Sequence, residues 1–291
     1  MTNHEKWNRP VDKEALRAKA AAFRDRHQGP DVLVLPNAWD VGSAIILTEA
    51  GFSAIATTSA GIAFAQGYAD GENISREEML AVVNRIVKSV PVPVTADLEA
   101  GYGPKPEDVA ETARLAIGIG AVGANFEDGT RRPEAPLLEL SVGVERIRAA
   151  REAADGEDIP FVINARTDVF LLPGKKGPAD FDETVRRANA YRAAGADCLF
   201  VPGKLDLDTI GRLVQAINGP LNILGGFSGY TAPPLAQLRE LGVARVTIGG
   251  SLALSALALV EQVAKELQNE GTFTYAAKAF SNAHLNKLLS R

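Results

Sequence analysis

The chain contains a single cysteine, Cys198, among its 291 residues. No internal disulfide framework and no cysteine-based zinc site can be built from one thiol. Histidine is nearly as scarce. His4, His27 and His284 all lie near the chain ends. The middle of the protein therefore has no imidazole for a Ser-His-Asp triad, a general base or a zinc site. Chemistry there must come from carboxylates, arginine, lysine, tyrosine, hydroxyls or a bound metal. A dominant charge is also missing. The net charge is −5 with acids and bases interspersed, and no basic stripe or arm points to nucleic acid. No apolar run reaches membrane-spanning length free of charges, and the polar start MTNHEKWNRP does not read as a signal peptide. These absences predict a cytoplasmic enzyme with neither a nucleic-acid nor a membrane partner.

What is present is a rhythm. Residues 12–27 predict an amphipathic helix ahead of the main fold. Short β-rich runs then alternate with helical patterns of about ten to twenty residues. Strands are expected at 32–37, 54–58, 92–97, 123–127, 161–166, 198–202, 221–225 and 245–249. Helices are expected at 41–50, 75–89, 106–119, 142–154, 181–194, 206–217, 233–241 and 251–269. Ser75 ahead of Arg76-Glu77-Glu78 has capping-box spacing, and Pro106-Glu107-Asp108 suits a first turn. Gly51, Gly120, Gly195 and Gly242 stand where helices should stop. Eight strand–helix units with nearly continuous apolar strands predict an α/β fold, a (β/α)8 TIM barrel, as one domain over residues 1–291. An extra C-terminal helix follows at 274–290. A doubly wound sheet is the rival, but the Gly-x-Gly-x-x-Gly expected after its first strand is replaced by Pro36-Asn37-Ala38-Trp39-Asp40.

In such a barrel the active site sits at the C-terminal ends of the strands. The stretch Ala96-Asp97-Leu98-Glu99-Ala100-Gly101-Tyr102-Gly103 is the most informative of these ends. Asp97 and Glu99, two residues apart, are expected on one side of the chain. Glu127 and Asp128 follow the fourth strand, Asp70 lies in the loop after the second, and Arg166 and Asp168 end the fifth. Acids converging from consecutive units either bind a cation or raise their own pKa values. A donor set of oxygens suits Mg²⁺. The plainer alternative is a solvated acidic loop with a glycine turn. Arg166 fits a substrate carboxylate bidentately, and its structural alternative is an ion pair with Asp168 or Glu127. Cys198, inside the apolar run Cys198-Leu199-Phe200-Val201, reads as a small core residue.

Five motifs, in order and at consistent spacing, resemble the isocitrate lyase/phosphoenolpyruvate mutase superfamily. They are Pro36-Asn37-Ala38-Trp39-Asp40, Thr58-Ser59-Ala60-Gly61, Asp97-x-Glu99-x-Gly101-Tyr102-Gly103, Asn125-Phe126-Glu127-Asp128 and Asn164-Ala165-Arg166-Thr167-Asp168. The resemblance implies a 2-oxo acid, or an enolate derived from one, held on Mg²⁺, with Mn²⁺ as a substitute. It implies that Asp97 touches the ion most directly and that Asp70 and Glu127 hold it through water. Glu99 stands where the family usually has a second Asp. Ser59, Ala60 and Gly61 match the loop that receives the substrate carboxylate and oxo group, and Arg166 matches the substrate-binding arginine. Trp39 and Asn222 complete the expected substrate-binding set, and Tyr102 is a candidate for proton transfer. The family's eighth barrel helix is commonly exchanged between subunits, so 251–290 is expected to pack on a neighbour in a homodimer or homotetramer.

The sequence also departs from the family. Isocitrate and methylisocitrate lyases carry a Lys-Lys-Cys-Gly-His segment in the loop after the fourth strand. Here that loop reads Gly129-Thr130-Arg131-Arg132-Pro133-Glu134-Ala135-Pro136, with neither Cys nor His. Thr130 matches the hydroxyl that phosphonate-bond members use, but no Asn follows. The expected function is a Mg²⁺-dependent lyase that cleaves or decarboxylates a small 2-oxo or 2-hydroxy acid. Arg166, Ser59 and Tyr102 would be its catalytic residues. One alternative is carbon–phosphorus chemistry on a phosphonopyruvate-like substrate, with Gly225-Gly226, Ser228 and Gly249-Gly250 forming a phosphate site. Another is a non-catalytic 2-oxo acid binder. The far end of the substrate is left to the loops at 62–74, 129–141 and 171–180.

Overall fold

The computed structural model describes residues 7–290; His4 and the start of the polar N-terminal segment lie outside them. The first helix, α1 (Lys13–Asp25), begins where Asp12 accepts hydrogen bonds from the Glu14 and Ala15 amides. Its buried residues Leu16, Ala20 and Phe23 share one face at the spacing a helix requires. Arg17 pairs with Asp158 and Lys13 with Glu157, just ahead of one strand. Arg26 donates to the Ser53 carbonyl, just ahead of another, at 3.1 Å. The helix therefore lies across the N-terminal end of the barrel, opposite the predicted site.

The barrel strands are β1 (Leu33–Leu35), β2 (Asn37–Ala38), β3 (Ile55–Thr57), β4 (Val94–Asp97), β5 (Gly123–Glu127), β6 (Val162–Arg166), β7 (Cys198–Val201), β8 (Leu221–Leu224) and β11 (Arg245–Thr247). A small antiparallel hairpin, β9 (Gly226–Phe227) and β10 (Tyr230–Thr231), stands apart from them. The ring runs β1-β11-β8-β7-β6-β5-β4-β3-β2 with every pairing parallel. β1 and β2 are two halves of one strand on either side of Pro36, which has no N–H to contribute to a ladder. One half pairs with the last strand and the other with the second, so the sheet closes. The fold is the predicted α/β barrel.

Helices α2 (Val41–Glu49), α3 (Ser59–Ala65), α4 (Arg76–Ser89), α5 (Pro106–Gly118), α6 (Leu140–Gly156), α7 (Pro178–Ala193), α8 (Leu207–Ala216) and α9 (Leu235–Glu240) follow the strands in turn. The predicted capping box of α4 is present, with Ser75 and Glu78 each accepting from the other's amide. Helix α3 is an addition. Residues 59–65 carry no strong helical pattern, but Thr58 accepts from the Gly61 amide and starts a short helix directly at the tip of β3. Strands β3, β4, β5 and β7 are buried along their whole length, as expected when helices cover one face and side chains fill the other.

The C-terminal region differs from expectation. The single helix predicted over 274–290 is a 3₁₀ turn, Thr274–Lys278, followed by a separate helix α11 (Asn282–Leu289). Ser281 accepts from the His284 amide and so begins a new helix instead of continuing the old one. Before it, α10 (Ser251–Asn269) leaves the barrel with only Ala253 buried. Leu254, Leu257, Leu259, Val260 and Leu267 remain 40–64% exposed.

His27 supplies a first prediction. It is buried at the end of α1, with Nδ1 donating to the Phe23 carbonyl at 3.0 Å and Nε2 unpartnered. Burial, aided by the nearby Arg245 guanidinium, lowers its pKa to about 4. The native state thus binds fewer protons than the unfolded chain between the ordinary histidine value and about 4. The stabilisation is complete above about pH 6.5 and is lost as pH falls toward 4, worth about 3 kcal/mol. Urea unfolding from pH 7 to 4 should fall more steeply for the wild type than for His27→Gln. Parallel curves would remove His27 from the acid response.

Candidate active site

Beyond the C-terminal strand ends lies a cavity of about 510 Å³. Its polar lining includes Asn37, Ser59, Asp70, Asp97, Asn125, Glu127, Arg131, Arg166 and Asp168, and its apolar wall includes Leu171, Leu172, Phe200, Pro202 and Leu224. Strand periodicity explains this floor. Asp97, Glu127 and Arg166 are the last residues of β4, β5 and β6. Glu127 and Arg166 are also direct neighbours in register.

Asp97 is 8% exposed. The Ser59 amide and hydroxyl donate to its Oδ2 at 3.1 and 3.0 Å. Its own amide donates to Thr57 Oγ1 at 3.0 Å. Its Oδ1 is buried with no partner, as are Oδ1 of Asp70 and Oε1 of Glu99. These three orphan carboxylate oxygens, on the end of β4 with the turn after it and on the loop that follows β3, mark one region with unfilled acceptor capacity. Burial raises Glu127 well above the usual carboxylate range despite the Arg166 guanidinium. Burial, together with Asp70 and Asp97, pushes Glu99 up to about 7, and Arg131 opposes it. The donors are hard oxygens, the type Mg²⁺ and Mn²⁺ take. Among the described residues no three acids stand close enough to ligate one ion together. In donor type, and in their unpartnered oxygens, these residues fit such an ion.

Arg166 is more heavily committed than a free substrate clamp. Its Nη1 lies 2.6 Å from Glu127 Oε2, and Nε and Nη2 donate to the two oxygens of Asp168 at 2.5 and 3.0 Å. Both ion pairs considered as its structural alternative are therefore present, while the side chain still lines the cavity. Asp168 is anchored in turn, its amide donating to Asp128 Oδ1 at 2.9 Å. Asp128 Oδ2 accepts from Tyr191 at 2.8 Å and Arg187 at 3.2 Å.

Several expected site residues lie elsewhere. Asn222 is fully buried and bonds Thr247 Oγ1 at 3.3 Å. It precedes the cavity-lining Leu224 by two positions and so lies one layer deeper in the barrel. Trp39 and Gly61 do not line the cavity. The Trp39 Cβ lies 2.9 Å from where a Gly61 side chain would start, so the two pack against each other. Tyr102 also lies off the cavity. Its backbone is left-handed, with φ 60°, and its amide donates to Glu72 at 2.8 Å. Its ring packs against the hydrophobic core, and burial raises its phenol far above the ordinary value. It is poorly placed for proton transfer. Glu99 sits behind the wall, 1% exposed. Ser59, Ala60, Asp70, Asp97, Glu127 and Arg166 are the expected residues that the fold brings together.

Sequence reasoning passed over two arginines. Arg131 reaches into the acids, with Nη1 3.4 Å from Asp70 and Nη2 3.2 and 3.4 Å from Glu99 and Glu127. The signal was available, since adjacent arginines follow an acidic strand end. Arg146 on α6 is buried and donates to the Gly103 carbonyl at 2.7 Å and to the Ala100 carbonyl. It clamps the Asp97–Gly103 loop from behind. Thr130 does not line the cavity; its hydroxyl donates to the Ala135 carbonyl and accepts from the Arg132 amide, closing its own loop. Cys198 is fully buried and its thiol is pushed up to about 12 by burial, so it is an inert core residue.

A model of the phosphoenolpyruvate phosphomutase family matches residues 23–268. The chain belongs to this family, within the isocitrate lyase/phosphoenolpyruvate mutase superfamily. A solved protein from Burkholderia cenocepacia J2315 is 41% identical, with a TM-score of 0.89 over 96% of this chain and 98% of that one. The 2-methylisocitrate lyase of Escherichia coli K12 is 29% identical over 269 residues, 89% of this chain and 87% of that protein. A solved 2,3-dimethylmalate lyase is 27% identical, with a TM-score of 0.80 over 93% and 94% of the two chains. The superfamily is enzymatic and includes lyases and mutases. The relatives' names are those of enzymes acting on small carboxylic acids.

Proposed function

We propose that the protein is a Mg²⁺-dependent lyase acting on a small 2-oxo or 2-hydroxy acid. The observation that carries this reading is Asp97, placed in the cavity with one oxygen fixed by Ser59 and the other buried and unpartnered. Asp97 would hold Mg²⁺ or Mn²⁺ directly, with Asp70 and Glu127 behind bound water and Glu99 supporting the charge of the cluster. Such an ion supplies positive charge where a substrate oxygen gains negative charge during bond cleavage. Ser59 positions Asp97. Arg166 and Ala60 face the cavity and orient the acid, and Leu171, Leu172 and Phe200 exclude water from one side.

The phosphonate alternative needs backbone donors at the glycine pairs. One amide of each pair is in use. The Gly249 amide donates to Asn37 Oδ1 at 2.9 Å, and the Gly225 amide to the Thr247 carbonyl at 2.7 Å. With those two amides committed, and Gly226 opening β9, the lyase is favoured. A single barrel in the cytoplasm would be the catalytic unit. The uncovered apolar residues of α10 support a homodimer or homotetramer in which this helix packs on a neighbour.

A thermal-shift screen with and without Mg²⁺ against 2-oxo acids, 2-hydroxy acids and phosphonopyruvate tests the reading. A true ligand at about 100 times its Kd should stabilise the fold by a few kcal/mol. Stabilisation by a 2-oxo dicarboxylate only when Mg²⁺ is present, followed by turnover, is the expected result. Binding without turnover would make the protein a binder. A response confined to phosphonopyruvate would replace the lyase with phosphonate chemistry.

A further inference from the structure

We propose that Arg131 is a tethered counter-cation for the acidic cluster, exchanged for the divalent ion when that ion binds. The inference rests on the metal reading above and concerns what neutralises the acids before the metal arrives.

The guanidinium lies between Asp70, Glu99 and Glu127, 3.2–3.4 Å from one oxygen of each. It grips none of them bidentately, the arrangement arginine makes when it forms a strong pair. One oxygen of Asp70 and one of Glu99 stay buried and unpartnered beside it. Arg131 thus supplies charge without satisfying the site.

Two features show that its position is built. Gly71 leaves a slot for it, because a Cβ there would lie 2.7 Å from Arg131 Cδ and 2.9 Å from its Cζ. The loop that carries it is also folded on itself. The Thr130 amide donates to the Pro136 carbonyl at 3.0 Å, and Leu138 donates back to the Asp128 carbonyl at 2.8 Å. Arg131 itself is held at φ 59°, a left-handed conformation that side chains disfavour.

A guanidinium and a divalent ion cannot share these acids cheaply. Like charges a few ångströms apart in a partly buried site repel strongly. Binding of the ion therefore releases Arg131, and with it the loop that lines the cavity mouth. Arg131 sets the metal affinity by competition, and the loop's fastening reports metal occupancy.

The test uses full-length protein stripped of metal by a chelator, with Mn²⁺ binding followed by electron paramagnetic resonance. Arg131→Met should bind Mn²⁺ about tenfold or more tightly than the wild type, while its metal-free melting temperature falls. Arg131→Lys, which keeps the charge, should stay within about threefold of the wild type. In the wild type, hydrogen exchange at Thr130 and Leu138 should quicken when Mg²⁺ is added. Equal or weaker Mn²⁺ affinity in Arg131→Met, with binding abolished in Asp97→Asn, would overturn the exchange and leave the metal site standing. Unchanged exchange at Thr130 and Leu138 would overturn it without any variant. If neither the wild type nor Arg131→Met bound Mn²⁺, both the exchange and the metal reading would fall.

Discussion

Asp97→Asn is expected to lower Mg²⁺-dependent turnover by about a thousandfold or more, equivalent to about 4 kcal/mol of transition-state stabilisation. It should also abolish Mg²⁺-dependent stabilisation by a 2-oxo acid. The fold should survive. An amide oxygen at this position can still accept from the Ser59 amide and hydroxyl, which now lie 3.1 and 3.0 Å from Oδ2. The Asp97 backbone bond to Thr57 is untouched by the change. What disappears is the negative charge, and the amide nitrogen that replaces the orphan Oδ1 presents N–H donors to the site. The check is a pair of measurements, the metal-free melting temperature and the ligand response with Mg²⁺. A normal melting temperature with no response is the expected pair. Retained metal-dependent turnover would show that the ion sits elsewhere.

Asp128→Ala should act on the fold, by about 3–5 kcal/mol. Asp128 is 3% exposed and holds three groups at once: the Asp168 amide, the Tyr191 hydroxyl and the Arg187 guanidinium. Arg187 is itself buried, with further bonds to Glu183 at 2.6 Å and to the Leu138 carbonyl at 2.8 Å. Removing one partner of a buried pair strands the other, and that stranding is most of the cost. Asp128→Asn, which keeps an oxygen acceptor, should lose distinctly less. Denaturant unfolding of the two variants measures the difference. A loss below about 1 kcal/mol for Asp128→Ala would mean that Arg187 and Tyr191 find water instead. The same variant should loosen Arg166, because Asp128 holds the Asp168 amide beside it.

The barrel was legible because its signal is local and repeated. Strand and helix patterns alternate through eight units, and tertiary context changed few of them. The missed pieces have specific causes. Helix α3 is short and made of small residues, so its start rests on one side-chain bond from Thr58 rather than on periodicity. The split at Pro36 becomes visible only when the last strand is seen beside β1. The break before α11 depends on Ser281 capping a helix inside an otherwise helical stretch.

The site was legible in part, for a related reason. Asp97, Glu127 and Arg166 end their strands, and a residue at a strand end in a barrel has little freedom in where it points. Tyr102, in the Asp97 motif, and Asn222, on β8, do not line the cavity. For Tyr102 the decisive fact is a left-handed turn at φ 60°, and for Asn222 it is depth along β8. Arg131 lies in a loop whose path no periodicity describes.

Sequence alone therefore determined the barrel, the family and the acids at the strand tips, because periodicity and strand ends are properties of neighbours along the chain. Only the tertiary structure decided which of those acids share a cavity, that Arg166 is already paired, and that Arg131 stands among the carboxylates. Those facts depend on charge and distance between residues far apart in the chain, such as the 61 positions separating Arg131 from Asp70.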